Sequence, residues 1–319
     1  MKLLWLDLNS SYAHSSLALP ALHAQIADDT TIEWCIVSAT INENTGMVVS
    51  RIHKHRPDII AATNWLFNHE QLLHIISRAK ALLPHCCIVL GGPEFLGNNE
   101  AFLYKNKFVS GVFRGEGEEV FPQWLKVWNH SKETWKAITG LCYLDENGRY
   151  QDNGIARVMN FSQLVSPEKS CFFNWSKPFV QLETTRGCFN TCAFCVSGGE
   201  KPVRTIPLEA IRERLNDIHQ HGIKNVRVLD RTFNYNNKRA KELLDLFRQY
   251  PDICFHLEIH PALLSEELKQ ELSVLPKGLL HLEAGIQSLK ESVLQQSRRI
   301  GKLSLIHISE PTRQEPISY

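Results

Sequence analysis

Residues 1–130 repeat one pattern: a short apolar run, then a stretch with helical spacing. The runs are 3–8, 32–38, 58–63, 86–90 and 108–113, and the helical stretches include 16–26, 46–55, 69–83 and 118–127. A strand with one solvated face carries polar residues at every second position, and most of these runs do not. Strands that are apolar throughout are covered on both faces, which parallel strands with helical crossovers achieve. The predicted fold class is therefore α/β, beginning with a doubly wound, flavodoxin-like parallel sheet. Sheets of this kind bind ligands at the carboxyl ends of their strands, in the loops that follow.

The pattern resumes at residue 179. Strands are expected at 179–184, 225–230, 253–260 and 279–284, and helices at 208–219, 238–250, 265–272 and 289–297. Four β/α units in series predict a partial (β/α) barrel, with its chemistry at the C-terminal strand ends. Between the two blocks, 131–178 reads as a linker. Within it, 141–150 has the pattern of a hairpin turning at Asn147-Gly148. The expected organisation is thus a first domain over 1–130, a linker over 131–178 and a second domain over 179–302.

Cys188, Cys192 and Cys195 stand at C-x3-C-x2-C spacing just after the first strand of the second block. Three thiolates on one short loop can grip one metal centre, and three ligands leave a coordination position open for chemistry. A closed zinc site needs a fourth ligand. His219 and His221 lie hard against the next strand, and no C-x2-C partner follows. The other six cysteines (Cys35, Cys86, Cys87, Cys142, Cys171, Cys254) lie mostly in apolar runs and read as small hydrophobes. Nine cysteines, three of them clustered, suit a reducing cytoplasm. The 35 Lys and Arg against 34 Asp and Glu leave a formal charge of +1, so neither nucleic acid nor an anionic membrane surface is an expected partner. No apolar run approaches the roughly 18 residues of a membrane span. The apolar start reaches Asp7 at once and reads as a strand, not a signal peptide.

The stretch Thr184-Thr185-Arg186-Gly187-Cys188-Phe189-Asn190-Thr191-Cys192-Ala193-Phe194-Cys195 resembles the cluster loop of radical S-adenosylmethionine (radical SAM) enzymes. The resemblance implies a 4Fe–4S cluster on Cys188, Cys192 and Cys195, with SAM bound at the fourth iron. One-electron cleavage of SAM then gives methionine and a 5′-deoxyadenosyl radical. It also implies a reductant such as flavodoxin or ferredoxin, a small-molecule or otherwise unspecified substrate, and no catalytic residue beyond the cluster. The same resemblance assigns Phe194, Asp230, Glu258, Gln287 and Arg299 to SAM. Asp230 and Phe233 look like an Asp-x-x-Phe variant at the end of the second strand. Gly285-Ile286-Gln287-Ser288 resembles the strand-four motif, and the planar fork of Arg299 suits the SAM carboxylate. Simpler readings stand beside these: a helix cap for Asp230, and a solvated helix end for Arg298 and Arg299. Gly198-Gly199-Glu200 directly follows the cluster loop and reads as a turn.

The N-terminal block resembles the cobalamin-binding domain that precedes the cluster domain in many radical SAM proteins. Gly91-Gly92 matches its double glycine, Thr63-Asn64-Trp65 stands where the family has Ser-x-Leu, and the Gly115-Glu116-Gly117 turn is frequent in the group. The implied cobalamin site comprises Asn9, Ser10, Thr63, Asn64, Gly91, Gly92, Gly115, Glu116 and Gly117, with the glycines letting backbone approach the ligand. The Asp-x-His-x-x-Gly signature of a cobalt-ligating histidine is absent. The stretch reads Asp7-Leu8-Asn9-Ser10-Ser11-Tyr12, and His14 has the wrong spacing. With cobalamin, methyl transfer is the expected reaction. Two other readings stay open. One is a radical SAM enzyme without cobalamin, performing a rearrangement or sulfur insertion. The other is a non-catalytic metal-binding or sensor protein.

Residues 303–313 match one reading frame of a transposase adapter used in sequencing libraries. The tail 303–319 is therefore expected to be non-native, and the chain to be an inactive fragment holding only the first four β/α units of its barrel.

Overall fold

The computed structural model describes residues 1–14, 16–197 and 200–299. The tail at 303–319 and the Gly198-Gly199 pair lie outside the described residues. The chain divides into two compact units, Met1–Lys177 and a second beginning at Pro178.

In the first unit, β1 (Lys2–Asn9), β2 (Glu33–Thr40), β3 (Ile59–Thr63), β4 (Cys87–Gly91) and β5 (Gly111–Phe113) form a parallel sheet in the order 2-1-3-4-5. The helices are α1 (Ala18–Ala24), α2 (Thr45–His55), α3 (His69–Leu82), α4 (Glu100–Lys105) and α5 (Val120–Leu125). The apolar runs have a direct cause, because alternate residues of one strand enter opposite cores. Leu4, Leu6, Ile60 and Ile88 pack with Val48, Ile52, Leu72 and Ile75 of α2 and α3. Leu3, Trp5, Ile59 and Val89 pack with Leu19, Phe121 and Trp124 of α1 and α5. Each such side chain contributes about 1.5–3 kcal/mol when fully buried. Asn44 caps α2 by accepting from the Met47 N–H at 3.2 Å, and Arg56 ends it at φ 46° just before Pro57. The six-residue α4 escapes a reading by periodicity because it is under two turns long.

The stretch 131–178 is not a linker. Its hairpin, β6 (Leu141–Leu144) and β7 (Tyr150–Asp152), extends the sheet antiparallel to β5, and the first unit runs to Lys177. The physical reason is the short β5, which would otherwise leave a bare edge beside an apolar core. Leu141, Cys142 and Tyr143 close that edge and are fully buried. The turn at Asn147-Gly148 forms as expected, with Gly148 at φ 74°. Beyond the hairpin, Gly115 bridges to Ala156 at φ 103°, and a Cβ there would sit 2.2 Å from the Ala156 carbonyl oxygen. Gly115→Ala is expected to destabilise the first unit by about 3 kcal/mol, measured by chemical denaturation. A change within about 0.5 kcal/mol would mean that the bridge shifts without cost.

In the second unit, β8 (Val180–Leu182), β11 (Asn225–Val228), β12 (Cys254–Ile259) and β13 (Leu280–Ala284) form a parallel sheet in the order 13-12-11-8. The short β9 (Thr185–Arg186) and β10 (Arg204–Thr205) pair antiparallel by themselves. Helices α6 (Leu208–Gln220), α7 (Asn237–Phe247), α8 (Glu266–Ser273) and α9 (Glu291–Gln296) alternate with the strands. Ser265 caps α8 through the Leu268 N–H at 3.2 Å. Phe255 of β12 stacks on Phe247 of α7 with centroids 4.1 Å apart. The alternate positions Gln181, Arg227, His256 and His281 align across the sheet on its other face, followed one layer on by Glu258 and Glu283. The strand period thus places an apolar face under the helices and a polar face opposite.

Candidate cluster and cofactor sites

The β9–β10 ladder brackets residues 187–203, the segment that holds the three cysteines. Gly187 opens it at φ 93°, where a Cβ would meet the Glu200 carbonyl oxygen at 2.5 Å, so only glycine lets the two ends close. The Cys188 N–H donates to Glu200 at 3.0 Å, the Cys195 N–H to Cys192 at 3.2 Å, and the Ala193 N–H to Ser297 beyond α9 at 3.0 Å. Cys188 and Cys192 are buried, Cys195 is exposed, and Phe194 beside it is exposed too. Burial pushes the Cys188 thiol up; Cys195 and Cys192 push the same way and Arg231 opposes them. Among the described residues, no three His, Cys, Asp or Glu side chains converge as ligands of a single ion do. A four-iron cluster asks for a wider set, because each cysteine meets a different iron. Three thiols on one short loop are the donor chemistry such a cluster takes.

Asp230 lies just past β11 and is 1% exposed. The resemblance makes it a neighbour of SAM or of the cluster, and its oxygens are turned to the lead-in of the cluster loop. It accepts the N–H groups of Thr184 at 2.8 Å and Thr185 at 2.9 Å, and also the Thr184 hydroxyl. Burial raises its pKa, while these donors pull the other way. Glu258 finds its partner on the neighbouring strand, with Arg227 Nη2 at 3.3 Å. Arg227 also reaches Glu283 at 3.8 Å, and His256 Nε2 lies 2.8 Å from the same Glu283. Gln287 adopts φ 68°, unusual for a residue with a side chain. Its amide and the Arg299 guanidinium both come onto Gly285, whose carbonyl accepts from Arg299. The structure thus gathers Gln287 with Arg299 and Glu258 with Arg227.

Sequence reasoning missed Arg227, Thr184 and the Asn234–His260 pair. The Asn234 Nδ2–H donates to the His260 carbonyl at 2.9 Å, and the His260 N–H returns to Asn234 Oδ1 at 2.8 Å. This pair ties the loops after β11 and β12 together, and the Phe189 ring lies 6.4 Å from the His260 ring. The period of two along β11 was the available signal for Arg227. None existed for the other two.

In the first unit, Asn9 and Ser10 lie at the end of β1, Thr63 and Asn64 at the end of β3, and Gly91 and Gly92 at the end of β4. These strands are neighbours, so the six residues share one edge. Asn9 Nδ2–H donates to Asp7 at 2.7 Å. The Asn64 N–H donates to Gly91 at 2.7 Å, and its fully buried side chain meets His69 Nδ1 at 3.1 Å. A Cβ on Gly92 would lie 2.5 Å from the Asn64 carbonyl oxygen, and one on Gly117 would meet Leu22 at 2.9 Å. The bare glycines at 92 and 115 therefore answer a close approach of the chain to itself. Glu116 likewise accepts from the Val158 N–H at 2.7 Å and pairs with Arg157 at 3.8 Å. Gly115-Glu116-Gly117 braces the 156–158 segment and the end of α1.

Residues 8–125 match the B12 binding domain model, and residues 182–305 match the radical SAM superfamily. The chain carries a B12-binding domain followed by a radical SAM domain. It is similar to an uncharacterized methyltransferase, PH0819, of Pyrococcus horikoshii, with 29% identity over 60% of this chain and 43% of that protein. It is also similar to TokK of Streptomyces tokunonensis, a cobalamin-dependent radical SAM methyltransferase, with 21% identity over 56% of this chain and 28% of that protein. The fold is shared with the radical SAM methyltransferase TsrM of Kitasatospora setae, solved with tryptophan substrate and a SAM analogue. The TM-score is 0.75 at 16% identity, over 96% of this chain and 64% of that one. The matched part spans less than half the length of the two curated relatives. The radical SAM domain implies a 4Fe–4S cluster and SAM, and the B12-binding domain supports cobalamin. Among the described residues, no helix is long and apolar enough to cross a membrane.

Proposed function

We propose that this chain serves a cobalamin-dependent radical SAM enzyme that transfers a methyl group to a small-molecule substrate. The observation that supports it best is the three-cysteine loop, closed by the β9–β10 ladder, on one chain with a B12-binding domain. When bound, the cluster supplies one electron that splits SAM into methionine and a 5′-deoxyadenosyl radical, and cobalamin supplies the methyl carrier.

The chain's own residues have definite tasks in this reading. Cys188, Cys192 and Cys195 hold the cluster, and Asp230 fixes the strand end that leads into their loop. Phe194, Glu258, Gln287 and Arg299 surround SAM, with Arg227 balancing the Glu258 charge. Asn9, Ser10, Thr63, Asn64, Gly91 and Gly92 line the cobalamin edge, and Gly115-Glu116-Gly117 supports the adjoining wall. The electron comes from a flavodoxin- or ferredoxin-like reductant. Nine cysteines, three of them clustered, suit a reducing cytoplasm.

The test, run on the full-length protein because a fragment lacking barrel units would leave SAM intact under either reading, is anaerobic reconstitution with iron and sulfide, then addition of dithionite and SAM. Methionine and 5′-deoxyadenosine are the expected products, with a cobalamin absorbance spectrum after loading. Zinc in place of iron, with SAM intact, would establish the metal-binding or sensor reading. SAM cleavage without cobalamin uptake would leave a radical SAM enzyme that works without cobalamin.

A further inference from the structure

A groove of about 480 Å³ runs between α2 and α3 in the first unit. Gly46, Val49, Ser50 and His53 form one wall, at the i, i+3, i+4 and i+7 positions of α2. Arg78, Ala81 and Leu82 form the other wall, on α3. The interior is apolar, because Val49 is buried, Gly46 brings no side chain and Ala81 brings one methyl group. Leu82 is 54% exposed along it, and Met47 beside Gly46 is 69% exposed. Grouped exposed apolar side chains mark binding surfaces, and a thioether adapts readily to an apolar partner.

Charge is distributed differently here from the rest of the chain. On the helices of the second unit, cations meet acids one turn away: Arg212 with Glu209, Arg239 with Glu242, Arg248 with Asp245 and Lys269 with Glu266. In contrast, α2, its C-cap Arg56 and α3 hold five Lys and Arg against one acid, Glu70, in a chain with a formal charge of +1. Two of the five are engaged, Arg51 with Glu43 at 2.5 Å and Lys80 with the Cys86 carbonyl at 2.6 Å. Among the described residues, the side chains of Lys54, Arg56 and Arg78 meet no ion-pair or hydrogen-bond partner, and neither does the His53 ring. Arg78 and His53 stand on opposite walls, so the apolar groove has a cationic rim on both sides.

Shape and charge together select the occupant. The walls are helical rows that repeat every third or fourth residue, and a third helix laid along such rows packs its ridges into the groove. The four α2 positions cover about 10 Å, two helical turns. Unpaired cations on both rims call for carboxylates on both flanks of that helix, which fix its register and steer its approach. We propose that this groove docks an acidic amphipathic helix of a partner protein. Its apolar row meets Val49, Ala81 and Leu82, and its acids meet Arg78 on one rim and His53 on the other. None of the residues assigned above to the cluster, SAM or cobalamin lies on α2 or α3, so the docking surface is additional to the cofactor sites.

The test titrates the whole chain into a fluorescein-labelled helical peptide of about 16 residues, with Leu at i, i+3, i+4 and i+7 and Glu on both flanks. Fluorescence anisotropy is expected to give a Kd on the order of 10 μM at low salt, weakened at least about threefold in 0.5 M NaCl. Arg78→Glu is expected to weaken binding about tenfold and Leu82→Asn about fivefold. Lys105→Glu, the same charge change on α4, should stay within about twofold. Arg78, Leu82 and Lys105 are exposed, so thermal melting of the three variants should match wild type. The same peptide with Lys for Glu should not bind. No binding of the Glu peptide, equal binding of the Lys peptide, or wild-type affinity in both Arg78→Glu and Leu82→Asn overturns the proposal. So does cosedimentation with phosphatidylserine vesicles that Arg78→Glu abolishes while the Glu peptide stays unbound, which would make this face a membrane contact.

Discussion

Cys192→Ala is expected to leave the reconstituted protein with well under one iron per chain, where wild type holds about four. Cys192 is the middle cysteine of the loop and is buried, as Cys188 is. Two remaining thiols cannot hold a cluster that needs three protein ligands. The fold should survive, because the loop ends are held by Gly187, Glu200 and the β9–β10 ladder, not by the sulfur. Iron and sulfide content with visible absorbance makes the measurement. Cys171→Ala, at an exposed cysteine outside the loop, is the matched control and should load normally. A Cys192→Ala protein with wild-type iron content would remove Cys192 from the ligand set.

Asp230→Ala is expected to cost about 3–5 kcal/mol of stability and to lower iron loading. The substitution strands the N–H groups of Thr184 and Thr185 and the Thr184 hydroxyl in a buried place. Those donors sit immediately before the cluster loop, so its lead-in loses its anchor. Asp230→Asn keeps one acceptor oxygen for the backbone donors and should lose roughly half as much. There is also a pH signature. Burial holds the Asp230 pKa above the ordinary carboxylate value, so the folded state holds the proton more tightly than the unfolded state. The stability linked to this proton is present below about pH 4 and is lost as pH rises through the folded pKa. Denaturation across that range should show this loss in wild type and lack it in Asp230→Asn. Unchanged stability of Asp230→Ala would mean that the three donors find water or other acceptors.

Local pattern carried much of the fold. Apolar runs located β1, β3 and β4 because two-sided burial leaves few polar positions in a strand. Ser265 capped α8 as its sequence suggests, since a cap depends only on residues within one turn. The hairpin at 141–152 was legible as a hairpin, yet its place in the sheet was not. Joining β5 depends on an unfilled edge that no local pattern records. The glycines were legible as special positions, but the chain segments that pack on them were not. Gly92 answers Asn64 and Gly115 answers Ala156, and the second contact spans more than a hairpin.

Sequence by itself determined the α/β class, the two blocks and the three-cysteine loop. These follow from spacing along the chain, where periodicity and ligand separation act over a few residues. Only the tertiary structure decided what Asp230 does: its oxygens meet Thr184 and Thr185, 46 and 45 residues away. Only it paired Arg227 with Glu258 across adjacent strands and raised Trp65 and Phe67 on a base of buried amides. Such contacts depend on strand register and loop packing. Many distant residues set these together, so no short stretch of sequence contains them.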